Sequence, residues 1–244
     1  MVFASPKVAI VAALEREVRP LIEHWQIYER EYEGRKFKFF ENDRTVLVCG
    51  GIGAEAARRA CEAVIALYQP SLVVSAGFAG ALQPELRIGS TLTPRVVVDA
   101  SDGSRTDTGL GSGVLVSLDS VAGPEQKAKL AKAYGAQAVD MEAAAVARGA
   151  EARGVHFRAI KAISDAPDFA MPSMERFIHP DGEFQTARFV FYVALRPWLW
   201  GRVIKLARNS AQASRELCNC LDRFNSQNVD NIEPGLHPIR SAKL

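Results

Sequence analysis

Cysteine is scarce in this chain: Cys49, Cys61, Cys218 and Cys220 are the only four in 244 residues. Four thiols make no disulfide framework at this length, and Cys218 and Cys220 stand too close for an ordinary structural bridge. They are expected to be reduced thiols of a cytoplasmic protein. Histidine is equally thin. His24, His156, His179 and His237 are scattered, and no second Cys/His pair completes a zinc pattern, so neither a metal nor a cofactor is expected. No apolar run reaches the roughly 20 residues of a membrane-spanning helix, and Met1–Lys7 lacks the charged start and long apolar core of a secretion signal. A large charge of one sign is missing too. The net charge of +2 argues against a general nucleic-acid binder. What charge there is sits unevenly: from Arg196 onward eight Lys or Arg face four Asp or Glu, so only the C-terminal part is basic.

What is present is ordinary globular material, 48% hydrophobic and 24% charged, enough for one substantial core. "KVAIVAA" (Lys7–Ala13), "TVLVCGG", "SLVVSAG" and "VHFRAIKAIS" read as buried strands. "LEREVRPLIEHW", "AEAARRACEAVIALY" and "PEQKAKLAKAY" carry helical spacing between them. Strands alternating with helices across short turns predict an α/β fold: a single-domain three-layer sandwich with a mainly parallel central sheet flanked by helices. The domain is expected to span 1–224, with C-terminal helices over 184–224 broken at Pro197, and residues 225–244 to form a mobile polar tail.

Three stretches could carry chemistry. "VDMEAAAVA" opens an alanine helix with Asp140 and Glu142 astride Met141. Either both acids serve the helix N-terminus, or Glu142 faces a pocket. "SAGFAGAL" (Ser75–Leu82) reads as a small-residue turn, where Ala76 and Gly77 would let a ligand approach the backbone. "KAISDAPDF" ends an apolar strand at Ser164-Asp165; an aspartate desolvated there suits an acid, and turn capping is the plainer alternative. A fourth pattern, Gly51-x-Gly53-x-x-Ala56, matches a dinucleotide fingerprint and would make the chain a nicotinamide-dependent oxidoreductase. The acid that fingerprint needs at the end of the next strand is absent, and tight-turn packing explains the glycines equally well.

Taken in order, "AALEREV", "GGIGAEAA", "SAGFAGAL", "VDMEAAAVA" and "KAISDAPD" resemble the nucleoside phosphorylase/nucleosidase superfamily, especially the methylthioadenosine/S-adenosylhomocysteine nucleosidases. The resemblance covers Lys7 to about Asp168. It implies a nucleoside phosphorylase-like fold and an N-glycosidase that removes a purine, adenine above all, from a 5′-substituted nucleoside. It assigns Asp165 to protonation of purine N7 with Ser164 placing it, Glu17 to the attacking water, Glu142 to the ribose hydroxyls and Met141 to the sugar face. One departure is Phe78, which stands where that family has a serine near the water. Another is Val121, the nearest match to the aromatic that stacks on adenine. The segment from Asp99 to Leu115 is also short for the family, as if a lid were removed from the C5′ side.

Beyond that span, "LRPWLWGRVIKLARNSAQAS" resembles the C-terminal part of the hopanoid-associated nucleosidase/phosphorylase group, which implies adenosine carrying a large polycyclic lipid at C5′. Residues 189–206 mix Phe189, Phe191, Tyr192, Trp198 and Trp200 with Arg196, Arg202 and Lys205, so peripheral membrane contact is one expectation. An ordinary core-packing helix with a solvated basic face is the other. The expected partners are a small-molecule nucleoside and further copies of the chain in a homodimer or higher homo-oligomer. A phosphorolytic reaction is the main alternative to hydrolysis, and a nucleoside-binding module the non-enzymatic one. Acids occupy the loop where phosphorylases of the superfamily hold phosphate, and Arg16 between two glutamates makes a poor anion site.

Overall fold

A computed structural model describes residues 8–171, 175–179 and 182–230. Strand β1 (Val8–Ala12) is buried along its whole length, as a strand with neighbours on both edges and helices on both faces must be. It pairs in parallel with β4 (Thr45–Cys49) and with β5 (Leu72–Ala81). β5 pairs in parallel with β11 (His156–Asp165). A second parallel block, β10 (Ala138–Asp140), β9 (Val114–Ser117) and β7 (Val96–Asp99), joins β5 through an antiparallel contact of Val139 with Gly80. Antiparallel pairs extend the sheet. They are β2 (Gln26–Tyr32) on β3 (Arg35–Glu41), β3 on β4, β8 (Arg105–Asp107) on β7, and β6 (Thr91–Leu92) on β11.

Helices cover both faces. Alternate residues of β1 sort between them by the two-residue period of a strand. Ala9 and Val11 join the core under α2 (Ala54–Tyr68) and α4 (Ala143–Glu151). Val8, Ile10 and Ala12 join the core under α1 (Glu15–Ile22) and α6 (Pro197–Asp230). The alanines of α4 let it lie close on α2, so close that a Cβ at Gly149 would stand 3.1 Å from Cys61 Sγ. A third cluster packs α3 (Pro124–Tyr134) against Val98, Val116 and Val139 at the far end of the sheet. The three-layer sandwich expected from the sequence is the fold observed.

Three local expectations change. "SAGFAGAL" is no turn: β5 continues to Ala81, with Phe78 opposite Ala162 and Gly80 opposite Asp165 across a register shift after Ile163. Its small residues thin the strand where side chains from other elements crowd over it. β2 and β8 carry no buried alternation to reveal them; β2 is exposed at six of its seven positions. The C-terminal helical stretch divides into α5 (Thr186–Ala194) and α6 at Pro197, as expected, but α6 runs past Phe224 to Asp230. The rest of the expected tail, 231–244, lies outside the described residues. Among the described residues no helix is long and apolar enough to cross a membrane.

Candidate active site

The carboxyl ends of β1, β10 and β11 converge on residues 78–80 of β5, and strand ends of this kind are the usual place for a ligand crevice in an α/β protein. A cleft opens there, lined among others by Glu17, Phe78, Val121, Met141, Glu142 and Asp165. Two groups of buried charges face it.

The first group surrounds the start of α4. Asp140, at the end of β10, accepts hydrogen bonds from Ser117 Oγ at 2.5 Å and from the Ala143 N–H at 2.9 Å, so it satisfies an otherwise orphaned amide of the helix. Its Oδ2 also pairs with Lys161 Nζ at 2.8 Å. Lys161 comes from the middle of β11, is 1% exposed, and donates to Ser75 Oγ at 3.1 Å. Glu142 turns the other way. Its Oε1 accepts from the Gly53 N–H at 2.9 Å and its Oε2 from the Met141 N–H at 3.3 Å. Gly51 and Gly53 both hold positive φ, 106° and 97°, the left-handed region that only glycine enters freely. The glycine turn therefore aims an amide at a carboxylate, where the fingerprint reading had a nucleotide.

Glu17, in the first turn of α1, stands against this group. It is 7% exposed, and its Oε2 is buried without a hydrogen-bond partner. A Cβ at Gly77 would come within 2.9 Å of that oxygen, so the glycine gives Glu17 its room. Burial, then the nearby Glu142 carboxylate, push the Glu17 acid up to about 8, against the pull of Lys161 and Arg16. Glu142 is raised as well, by burial and by Asp140, with Lys161 and two backbone amides opposing. Burial disfavours the Lys161 ammonium, but Asp140, Glu142 and Glu17 together hold it above the ordinary lysine value. Three carboxyls share one fully buried cation, an arrangement suited to a developing positive charge and to taking a proton.

The second group lies across the cleft. Asp165 ends β11, 3% exposed, and its Oδ1 accepts from Ser164 Oγ at 2.8 Å. It is not the isolated acid an apolar strand end suggests. Lys127, from the first turn of α3 and 2% exposed, forms an ion pair with its Oδ2 and donates to the Ala166 carbonyl at 2.8 Å.

The structure thus brings Glu17, Phe78, Val121, Met141, Glu142, Ser164 and Asp165 to one cleft. Gly77 backs Glu17 from behind. Ala76 is placed elsewhere: it is buried with Ile10, Val74 and Ile160 under α1 and α6, because β5 does not turn and its side chains keep alternating between faces. None of the residues from Asp99 to Leu115 lines the cleft. Sequence reasoning missed both lysines. Lys161 had a signal, a cation in the buried half of a strand with apolar residues on either side; Lys127, in "PEQKAKLAKAY", looks like any solvated helix lysine.

The sequence matches the family model of the phosphorylase superfamily over residues 7–124 and 110–181. No curated protein matches it. Several solved structures share its fold. Futalosine hydrolase of Helicobacter pylori is 21% identical, with 90% of this chain and 98% of that one covered and a TM-score of 0.63. A 5′-methylthioadenosine/S-adenosylhomocysteine nucleosidase from Neisseria meningitidis, in complex with methylthio-immucillin-A, is 20% identical over 90% and 98% of the chains, TM-score 0.67. An S-adenosylhomocysteine nucleosidase from Streptococcus pyogenes, in complex with 5-methylthiotubericidin, is 19% identical over 96% and 100%, TM-score 0.68. Sequence match and fold point the same way, and the match covers most of the chain: it belongs to the phosphorylase superfamily.

Proposed function

We propose that this protein is a nucleosidase, hydrolysing the N-glycosidic bond of a purine nucleoside, adenine-bearing by resemblance, that carries a substituent at C5′. The observation that carries this reading is the Glu17 carboxyl, buried beside Glu142 with an unpartnered oxygen. A base of that kind can take a proton from water held over the sugar. Glu142, with Met141 beside it, would grip the ribose hydroxyls, and the anionic cluster would stabilise the oxocarbenium-like sugar. Asp165, placed by Ser164, governs protonation of the departing base. Water is favoured over phosphate because a phosphate dianion would stand among Glu17, Asp140 and Glu142, while Lys161 is already committed to Asp140. Arg16 also lines the cleft, beside Glu17.

The reading is tested by following base release from methylthioadenosine, adenosine, inosine and a lipid-linked adenosine, with and without phosphate. Release of an unphosphorylated sugar, ribose or the 5-substituted ribose according to substrate, and indifference to phosphate are expected. A ribose 1-phosphate signal in phosphorus NMR would make the protein a phosphorylase and Arg16 the residue to examine.

For the C5′ substituent we propose a large apolar group. A cavity of ≈ 590 Å³ between α1 and α6 shares Arg16, Phe78, Leu206 and Ser210 with the cleft, and Phe184, Phe189 and Val203 add apolar wall. Beside it the corner of α5 and α6 leaves Phe191, Leu195 and Trp198 more than 60% exposed, and α5 has no buried residue. Phe189 and Tyr192 pack on Phe177, while the other rings of the corner face outward. With Arg196, Arg202 and Lys205 among these rings, the corner suits a peripheral contact of a cytoplasmic protein with an anionic membrane. Replacing Trp198 and Trp200 together by Ala is expected to weaken binding to phosphatidylserine-containing vesicles at low salt while leaving cleavage of small nucleosides unchanged. If the wild-type protein does not bind such vesicles, the membrane contact is excluded. Assembly into a homodimer or larger homo-oligomer completes the proposal.

A further inference from the structure

Lys127 is expensive where it stands. A lysine is almost never fully buried unless paired, and one in the first turn of a helix opposes the helix dipole; Lys127 is both. The strand beneath it is cut back to receive it. A Cβ at Gly80 would lie 2.9 Å from Asp165 Oδ2, 3.1 Å from Lys127 Cε and 3.2 Å from Lys127 Nζ. An ammonium has three N–H bonds. One goes to Asp165 and one to the Ala166 carbonyl. The third has no acceptor among the described residues, and Lys127 lines the cleft. Asp165 for its part has one oxygen taken by Ser164 and the other by Lys127. What this side of the cleft can offer a leaving base is therefore an N–H of Lys127.

We propose that Lys127 is the proton donor to the leaving base, with Asp165 as the anion that holds it in place. The inference rests on the nucleosidase reading above. As the C1′–N9 bond breaks, its electron pair passes into the purine, and the Lys127 ammonium gives a proton to N7, leaving a neutral amine bonded to Asp165. The attacking water gives its proton to Glu17. Lys127 recovers a proton from solvent once the base has left, and Glu17 releases one, so the sum is nucleoside plus water giving ribose and neutral purine.

The test compares two leaving groups in wild type, Lys127→Met and Lys127→Gln, each checked for fold by circular dichroism. A purine needs a proton to leave; 4-nitrophenolate, released from 4-nitrophenyl β-riboside, does not. Loss of the general acid is expected to lower kcat/KM for the purine riboside by about 10²–10⁴, and for the nitrophenyl riboside far less. Gln keeps a donor N–H but cannot transfer a proton, so it should behave as Met does. A parallel loss on both substrates would reduce Lys127 to a structural counter-ion. Retained purine cleavage in either variant would overturn the proposal outright. If the wild-type protein releases base from no nucleoside, 5′-substituted or not, the hydrolytic reading itself fails, and this role with it.

Discussion

Glu17→Gln is expected to abolish hydrolysis, lowering kcat by about two orders of magnitude or more, while the fold remains intact. The amide fills the space of the acid but cannot accept the proton of the attacking water. The wild-type pH profile should carry the signature of the same group. Glu17 is pushed up to about 8 by burial and by Glu142, and only its ionised form is a base. Activity should therefore rise with pH through about 8 and level off above it, and this limb should vanish with Glu17.

Stability should move oppositely. In the unfolded chain Glu17 ionises near the ordinary value of 4.5, in the folded one near 8, so between those limits the folded state binds the extra proton. Folding then loses stability as pH rises from about 4.5 to about 8, the loss being complete above it. At about 1.4 kcal/mol per pH unit, a few kcal/mol are at stake. Glu17→Gln removes the titration, so the melting temperature of the variant should exceed that of wild type above pH 8 and approach it near pH 4.5. A melting difference that ignores pH would show that Glu17 is not the strained acid of the cleft.

The core was easy to see in the sequence because β1, β4 and the first half of β5 are short, largely apolar runs, and such runs have few alternatives once helices alternate with them. The site was legible where chemistry needs a residue type at a strand end: Asp165 after β11, and Met141 with Glu142 after β10. It was illegible where one residue acts on another across the fold. Lys127 reaches Asp165 over 38 positions of chain, and Lys161 reaches Asp140 from another strand of the sheet. Neither pairing leaves a mark in local periodicity. β5 misled for a related reason. Glycine and alanine that make room for a partner read, in one dimension, like those that turn a chain, and only Glu17, Lys127 and Asp165 crowding Gly77 and Gly80 separate the two.

Asp165→Asn is expected to cost turnover as heavily as Glu17→Gln, by two or more orders of magnitude, and to cost stability too. The asparagine keeps the Ser164 hydrogen bond but removes the anion beside Lys127, whose ammonium is then buried against the Ala166 carbonyl alone. Breaking a buried pair on one side typically costs about 3–5 kcal/mol, so turnover must be compared below the lowered melting temperature. Ser164→Ala supplies the scale. It deletes one hydrogen bond to Oδ1, worth roughly 1 kcal/mol, and should slow cleavage about tenfold or less with little change in melting. The two defects of Asp165→Asn arise from different causes and should separate by substrate. The stability loss is the same whatever the ligand, whereas the catalytic loss should be large for a purine and small for a leaving group that departs unprotonated. Near-normal turnover of a purine nucleoside by folded Asp165→Asn would remove this aspartate from the mechanism and leave the Lys127–Asp165 pair a matter of stability alone.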